Sequence, residues 1–149
     1  VKDFESSLEN LIEEGLTVTP HIVIGLHYGR IVGEHKALEI VSRYPIMSLV
    51  LVVITPIQGT PMYGIKTPDI EEISSIFREA RRLIPKRPIF LGCARPHGIE
   101  KLLIDTAAID EGLDGIAYPA EGIGSYLKEK GFDVTVRQYC CGLYPSGLS

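Results

Sequence analysis

The chain has 149 residues, 45% of them hydrophobic, with 15 basic and 19 acidic side chains and a net charge of −4. That length suits one domain with a sizeable core, and the composition is that of a globular chain rather than a disordered one. Charges of both signs are scattered without a Lys/Arg block, the longest purely apolar run (49–54) is far too short for a bilayer, and three cysteines make no disulfide framework. A reducing cytoplasm and a small-molecule partner are therefore expected, with neither nucleic acid nor membrane.

The elements follow in order. Residues 3–15 predict a helix with Phe4, Leu8, Leu11 and Ile12 on one face, Asp3 at its N-cap and Gly15 at its end. The chain opens on Val1 and is helix-like within a few residues, which suggests a portion of a longer polypeptide. Residues 17–26 predict a strand and 34–43 a helix closed by Tyr44-Pro45. The run SLVLVVIT (48–55) is nearly all apolar and β-branched, as in a parallel strand buried on both faces. Thr67-Pro68-Asp69 predicts a helix start with Thr67 as the cap, running to about Ile84. Its Glu71, Glu72, Glu79, Arg78, Arg81 and Arg82 read as a solvated face with charge pairs at helical spacing. A short strand is expected at 88–92, a helix at 99–112, a strand at 114–118, a helix at 123–130 and a last strand at 133–139.

Alternation of this kind predicts an α/β fold of parallel strands joined by crossovers, in a single domain. Two architectures fit: a partial (β/α) TIM-type barrel, or a flavodoxin-like doubly wound sheet. The loop 56–66 is long and rich in Gly and Pro, and such loops are often functional. In both architectures ligands bind at the carboxyl ends of the strands. The chemistry-bearing residues there are His27, Tyr28, Gly29 and Arg30; Thr55 and Gln58; Cys93, Arg95 and His97; Tyr118 and Glu121; Arg137 and Gln138. None has the spacing of a zinc site, a Ser-His-Asp triad or a P-loop. Gly25, Gly29 and Gly33 are evenly spaced and do not make a dinucleotide fingerprint. Cys93 is expected to be a small buried residue, Cys140-Cys141 two partly buried thiols, and His21 and His35 structural or solvated.

The segment Gly29-Arg30-Ile31-Val32-Gly33 resembles the Gly-x-Ile-x-Gly segment of the radical S-adenosylmethionine superfamily, in its biotin-synthase-like branch. Leu91-Gly92-Cys93-Ala94-Arg95 is similar to the Leu-Ser-Ala-Gly-Arg strand ending of the same branch. The two motifs come in the family's order, and the resemblance covers nearly the whole chain as the carboxyl-terminal half of such a barrel. It implies adenosyl contacts from Gly29, Ile31, Gly33 and Glu34. It also implies a substrate-facing set of His27, Gln58, Arg95, His97, Tyr118 and Arg137. The cofactors implied are S-adenosylmethionine and, in a full-length protein only, a [4Fe–4S] cluster.

Three departures narrow this. The family's glutamate stands three residues after the second glycine, where this chain has Lys36; Glu34 follows Gly33 directly. His27 stands where biotin synthase has a cluster-ligating cysteine, which argues against sulfur insertion. The Cys-x3-Cys-x2-Cys loop is absent from this sequence, and Cys93, Cys140 and Cys141 do not replace its spacing. No metal ligands are expected in this chain, which alone should not cleave S-adenosylmethionine, and the reaction and catalytic residues stay unassigned. The alternatives are a non-radical barrel-type enzyme or lyase using His27, Arg95 and His97 for acid–base work and anion binding, and a non-catalytic small-molecule binding domain. A half barrel has open strand edges and an apolar inner face, so either self-association or cover from the first helix and the tail (142–149) is expected.

Overall fold

Strand β2 (Leu49–Val53) organises the molecule, because it is buried at every position. The computed structural model describes residues 2–139 and 142. In it β2 pairs in parallel with β1 (His21–Ile24) on one side and β3 (Ile89–Leu91) on the other, and β3 pairs with the short β4 (Gly115–Ile116). The sheet order is β1-β2-β3-β4. Helix α1 (Lys2–Glu13) precedes the sheet; α2 (Glu34–Val41), α3 (Ile70–Leu83), α4 (Ile99–Asp110) and α5 (Ile123–Glu129) each follow a strand. The fold is thus α/β with an all-parallel sheet.

The strand order never reverses. Crossovers of one hand then lay all their helices on one face of the sheet, and α2, α3, α4 and α5 do touch in sequence. Alternate strand residues meet them: Ile22, Ile24, Leu49, Leu51, Val53, Ile89 and Leu91 join Leu38, Val41, Ile73, Ile76, Phe77, Ala80, Ile104 and Ala108 in one buried core. This consecutive winding is that of a barrel sector. A flavodoxin-like order places the first strand inside the sheet, whereas β1 lies at an edge of this one.

The opposite face carries Val23, Val50, Val52 and Phe90, by the two-residue period of strands. It is not fully open, since Val50 and Val52 are buried. A Cβ on Gly92 would stand 2.5 Å from Val52 Cγ1 and 2.8 Å from Val50 Cγ1, and one on Gly115 would stand 2.9 Å from the Phe90 ring. The missing side chains are therefore what lets these neighbours fit. Gly142 lies beside His21, a Cβ there being 3.6 Å from ring atom Cε1.

The structure corrects several boundaries. The expected strand 17–26 narrows to His21–Ile24, and the chain turns at Gly25. The α3 cap is Asp69, not Thr67. Asp69 accepts from the Glu72 N–H while the Glu72 carboxylate accepts from the Asp69 N–H, a full capping box. Pro68 disfavours helical geometry at Thr67, so the helix starts after it. The α3 charges tie helices together more than they pair along the helix. Arg78 makes a forked bond to Glu111, Arg81 pairs with Asp114, and Glu79 meets His35. On α1 Asp3 lies within the helix, and of the expected stripe only Leu8 is buried; Phe4 and Leu11 are exposed. Polar contacts complete its docking: Arg43 donates to Glu5 at 2.6 Å and Tyr44 to Glu9 at 3.0 Å.

The expected strand 133–139 is not formed; residues 132–138 have no regular structure and are exposed. With only two residues, β4 offers little ladder on which another strand could build. Helix α5 is fixed instead through Asp110, which accepts from Tyr126 and Lys130, both at 2.8 Å. The Lys130 ammonium, with help from the Tyr126 hydroxyl, holds that carboxyl below its usual range.

One consequence can be measured. Gly92→Ala should lower stability by about 1–3 kcal/mol through overpacking against Val50 and Val52. Adding Val52→Ala should restore part of that loss. Chemical denaturation of the three proteins checks it, and additive losses would refute the steric account.

Candidate functional site

The sharpest local structure follows β1. Tyr28 (φ 52°) and Gly29 (φ 77°) both have positive φ, His27 and Arg30 form an antiparallel bridge, and the Arg30 N–H donates to the His27 carbonyl at 3.1 Å. Positive φ at both central residues marks a type I′ turn. Gly29 also donates to the Gly25 carbonyl at 2.8 Å. Any side chain at Gly29 would be impossible here, since its Cβ would stand 1.9 Å from the Lys66 carbonyl oxygen. The β1–α2 turn therefore presses its backbone on the β2–α3 connection.

Between these two segments lies an open groove of about 470 Å³. One wall is Tyr28, Gly29, Arg30 and Ile31; the other is Ile65, Lys66, Thr67 and Glu72. The volume falls in the range of small-molecule sites, roughly 300–1,000 Å³. Two isoleucines and an aromatic ring supply apolar surface. Among the described residues neither Arg30 nor Lys66 is engaged in an ion pair.

Of the four residues expected to contact an adenosyl group, Gly29 and Ile31 line this groove. Gly33 lies at the N-cap of α2 and Glu34 in its first turn. Glu34 is buried, and its carboxylate accepts from three backbone N–H groups: Gly25 at 2.8 Å, Val32 at 2.8 Å and Gly33 at 3.0 Å. It holds its own loop together and is not among the groove's lining residues, which corrects the expected ligand contact.

Arg95 is also corrected. Its side chain, like that of Asp105, has 0% exposure. Nε and Nη2 grip the Asp105 carboxylate at 2.5 and 3.0 Å, Nη1 donates to the Gly92 carbonyl at 2.7 Å, and Nη2 also reaches the Tyr118 carbonyl at 3.1 Å. Asp105 in turn accepts from the Ala120 N–H at 2.7 Å. The guanidinium is thus an internal staple joining β3, α4 and the β4–α5 loop, and does not line the groove. Cys93, expected to be buried, is exposed. The backbone on either side of it is held to β2, through Gly92 N–H to Leu51 and Val53 N–H to Ala94, while its thiol is left outside.

The other candidates are exposed and separate. His27 stands at the groove's rim, its ring edge-on to Tyr28 at 5.7 Å between centroids. Gln58 and His97 are exposed. Tyr118 is 79% exposed and takes positive φ. Arg137 donates to the Tyr139 hydroxyl at 2.7 Å on the irregular tail. Among the described residues no hydrogen bond or ion pair joins any two of these five. Thr55 Oγ1, at the end of β2, is buried without a hydrogen-bond partner. Among the described residues, no group of three or more His, Cys, Asp or Glu could hold a metal ion. Cys140 and Cys141 lie outside the described residues. Among the described residues no helix is long and apolar enough to cross a membrane. No protein-family model and no curated protein matches the chain.

The Arg95 staple has a measurable signature. Arg95→Met should cost about 3–5 kcal/mol, because it leaves the Asp105 carboxylate buried without its cation. The double variant Arg95→Met/Asp105→Leu should recover much of that loss. Urea midpoints decide it; a single variant as stable as the wild type would mean that the guanidinium is not an internal staple.

Proposed function

We propose that this chain is the carboxyl-terminal part of a radical S-adenosylmethionine-type barrel and that its groove receives the adenosyl portion of that cofactor. The observation that carries the proposal is the placement of Gly29 and Ile31, the two matching residues of the Gly-x-Ile-x-Gly segment, in one wall of a small-molecule-sized groove. The consecutive parallel sheet is the second support. In this assignment the adenine lies against Ile31 and Ile65, close to the Tyr28 ring. Arg30 or Lys66 receives the amino-acid carboxylate as a charge-assisted bond. The chain contributes binding and orientation, and the reaction remains unassigned. The acid–base alternative loses its anion-binding member with the burial of Arg95.

Calorimetric titration with S-adenosylmethionine should give saturable binding near one ligand per chain. Ile31→Asp should weaken it by roughly tenfold or more, about 1.4 kcal/mol, by placing a charge against the adenine. No binding up to about millimolar ligand, or equal binding by the variant, would overturn the assignment.

Partner association belongs to the same proposal. Strand β1 lies at an edge of the sheet, and unpaired edge groups invite further strands. Light scattering of the isolated chain should show concentration-dependent self-association; a strictly monomeric particle that binds no apolar dye would refute it.

A further inference from the structure

Resting on the groove as the ligand site, we infer that Glu34 is the positioning residue that gives the groove its shape. It lies outside the lining set, yet its carboxylate bonds to both ends of the turn that forms one wall. One oxygen accepts from Gly25 at 2.8 Å, where the chain leaves β1. The other accepts from Val32 at 2.8 Å and Gly33 at 3.0 Å, where the chain enters α2. Between these anchors run Tyr28, Gly29, Arg30 and Ile31, the lining residues. The carboxylate thus closes a ring around the turn and fixes the distance between its two ends.

Backbone bonds shape the first part of the turn, Gly29 to Gly25 and Arg30 to His27, but none of them reaches its far end at Val32 and Gly33. Leu26, Tyr28 and Val32 are largely exposed, and a Cβ at Gly33 would meet nothing within 4 Å. Ile31 packs partly against the core, and Gly29 rests on Lys66, but neither contact spans the turn. A carboxylate suits the task because it only accepts, and here both of its oxygens face donors. An amide in its place would turn an NH2 toward either Gly25 or the Val32/Gly33 pair, whichever way it is flipped. One end of the turn would then be released.

The test is Glu34→Gln, compared with the wild type at a temperature where circular dichroism shows both folded. Hydrogen exchange at the amides of residues 28–31 should quicken at least tenfold, with α3 and β2 unchanged. Affinity for S-adenosylmethionine should fall at least tenfold. A lower melting temperature with unchanged loop exchange and unchanged affinity would reduce Glu34 to a purely structural residue and overturn the inference. If the wild type binds no S-adenosylmethionine, the ligand assignment fails by itself, and loop exchange still decides the role of Glu34. Should Glu34→Gln fail to fold, Glu34→Asp replaces it. That variant keeps the charge near Val32 and Gly33 but is one methylene short of Gly25, and it should quicken exchange at residues 28–31. Wild-type exchange in Glu34→Asp would overturn the inference.

Discussion

Everything in this molecule depends on β2 being a parallel strand flanked on both sides and covered on both faces. An antiparallel neighbour could be reached by a tight turn. A parallel one needs a crossover that returns the chain to the start of the sheet. Consecutive order then fixes the rest: helices on one face, the strand-to-helix loops together at the carboxyl end. That end gathers Tyr28, Thr55, Cys93 and Tyr118 although they are spread widely along the sequence. The glycines at 92 and 115 belong to the same constraint, because they make room for Val50, Val52 and Phe90 on the face away from the helices.

The loops at that end share one solution. They are short of apolar side chains that could bury their backbone, so buried carboxylates hold them. Glu34 collects three N–H groups of the β1–α2 loop. Asp105, with Arg95, holds the β3–α4 and β4–α5 loops through Gly92, Tyr118 and Ala120. Hydrogen bonds to a charged group contribute about 1.5–3 kcal/mol each, whereas burying the charge costs several kcal/mol. With three bonds apiece, gain and cost nearly cancel in total stability. What the carboxylates add is direction: each accepts only at the distances and angles that set one loop conformation.

The sequence made the sheet legible and the site only half so. The runs around 21–24, 49–53 and 89–91 are mostly apolar and rich in β-branched residues, and a period of two that any reader can count puts Ile22, Ile24, Leu49, Leu51, Val53, Ile89 and Leu91 in the one core. Asp69 and Glu72 have the spacing of a capping box, but Thr67-Pro68 suggests an earlier start, which pre-proline geometry removes. Arg95 stands at a strand end, Glu34 follows the Gly-x-Ile-x-Gly-like segment, and both are expected to meet ligands, which the burial of both argues against. A charged residue's burial is decided by partners elsewhere in the chain, here Asp105 ten residues on and Gly25 nine residues back, and no local pattern encodes those meetings. Tyr28-Gly29 also escaped notice as a turn, because a tyrosine at positive φ lacks the Asn-Gly signature that usually announces one. The strand expected at 133–139 failed for a similar reason, since its alternation was present while the ladder it needed was two residues long.

The division of labour between backbone and side chains narrows where recognition can reside. At the carboxyl end of the sheet the backbone is held firmly, while Leu26, Tyr28, Val32, Ile57, Tyr63 and Tyr118 stay exposed. A fold of this kind hosts many chemistries, so function follows from the particular side chains at that end and not from the winding. With Arg95 internal, the cations that remain at the first two loops are Arg30 and Lys66. They line the groove with Tyr28, Ile31 and Ile65, beside a backbone that a glycine alone permits to close. Among the described residues these two cations make no ion pair, so their charge is turned to the groove and not spent on holding the fold.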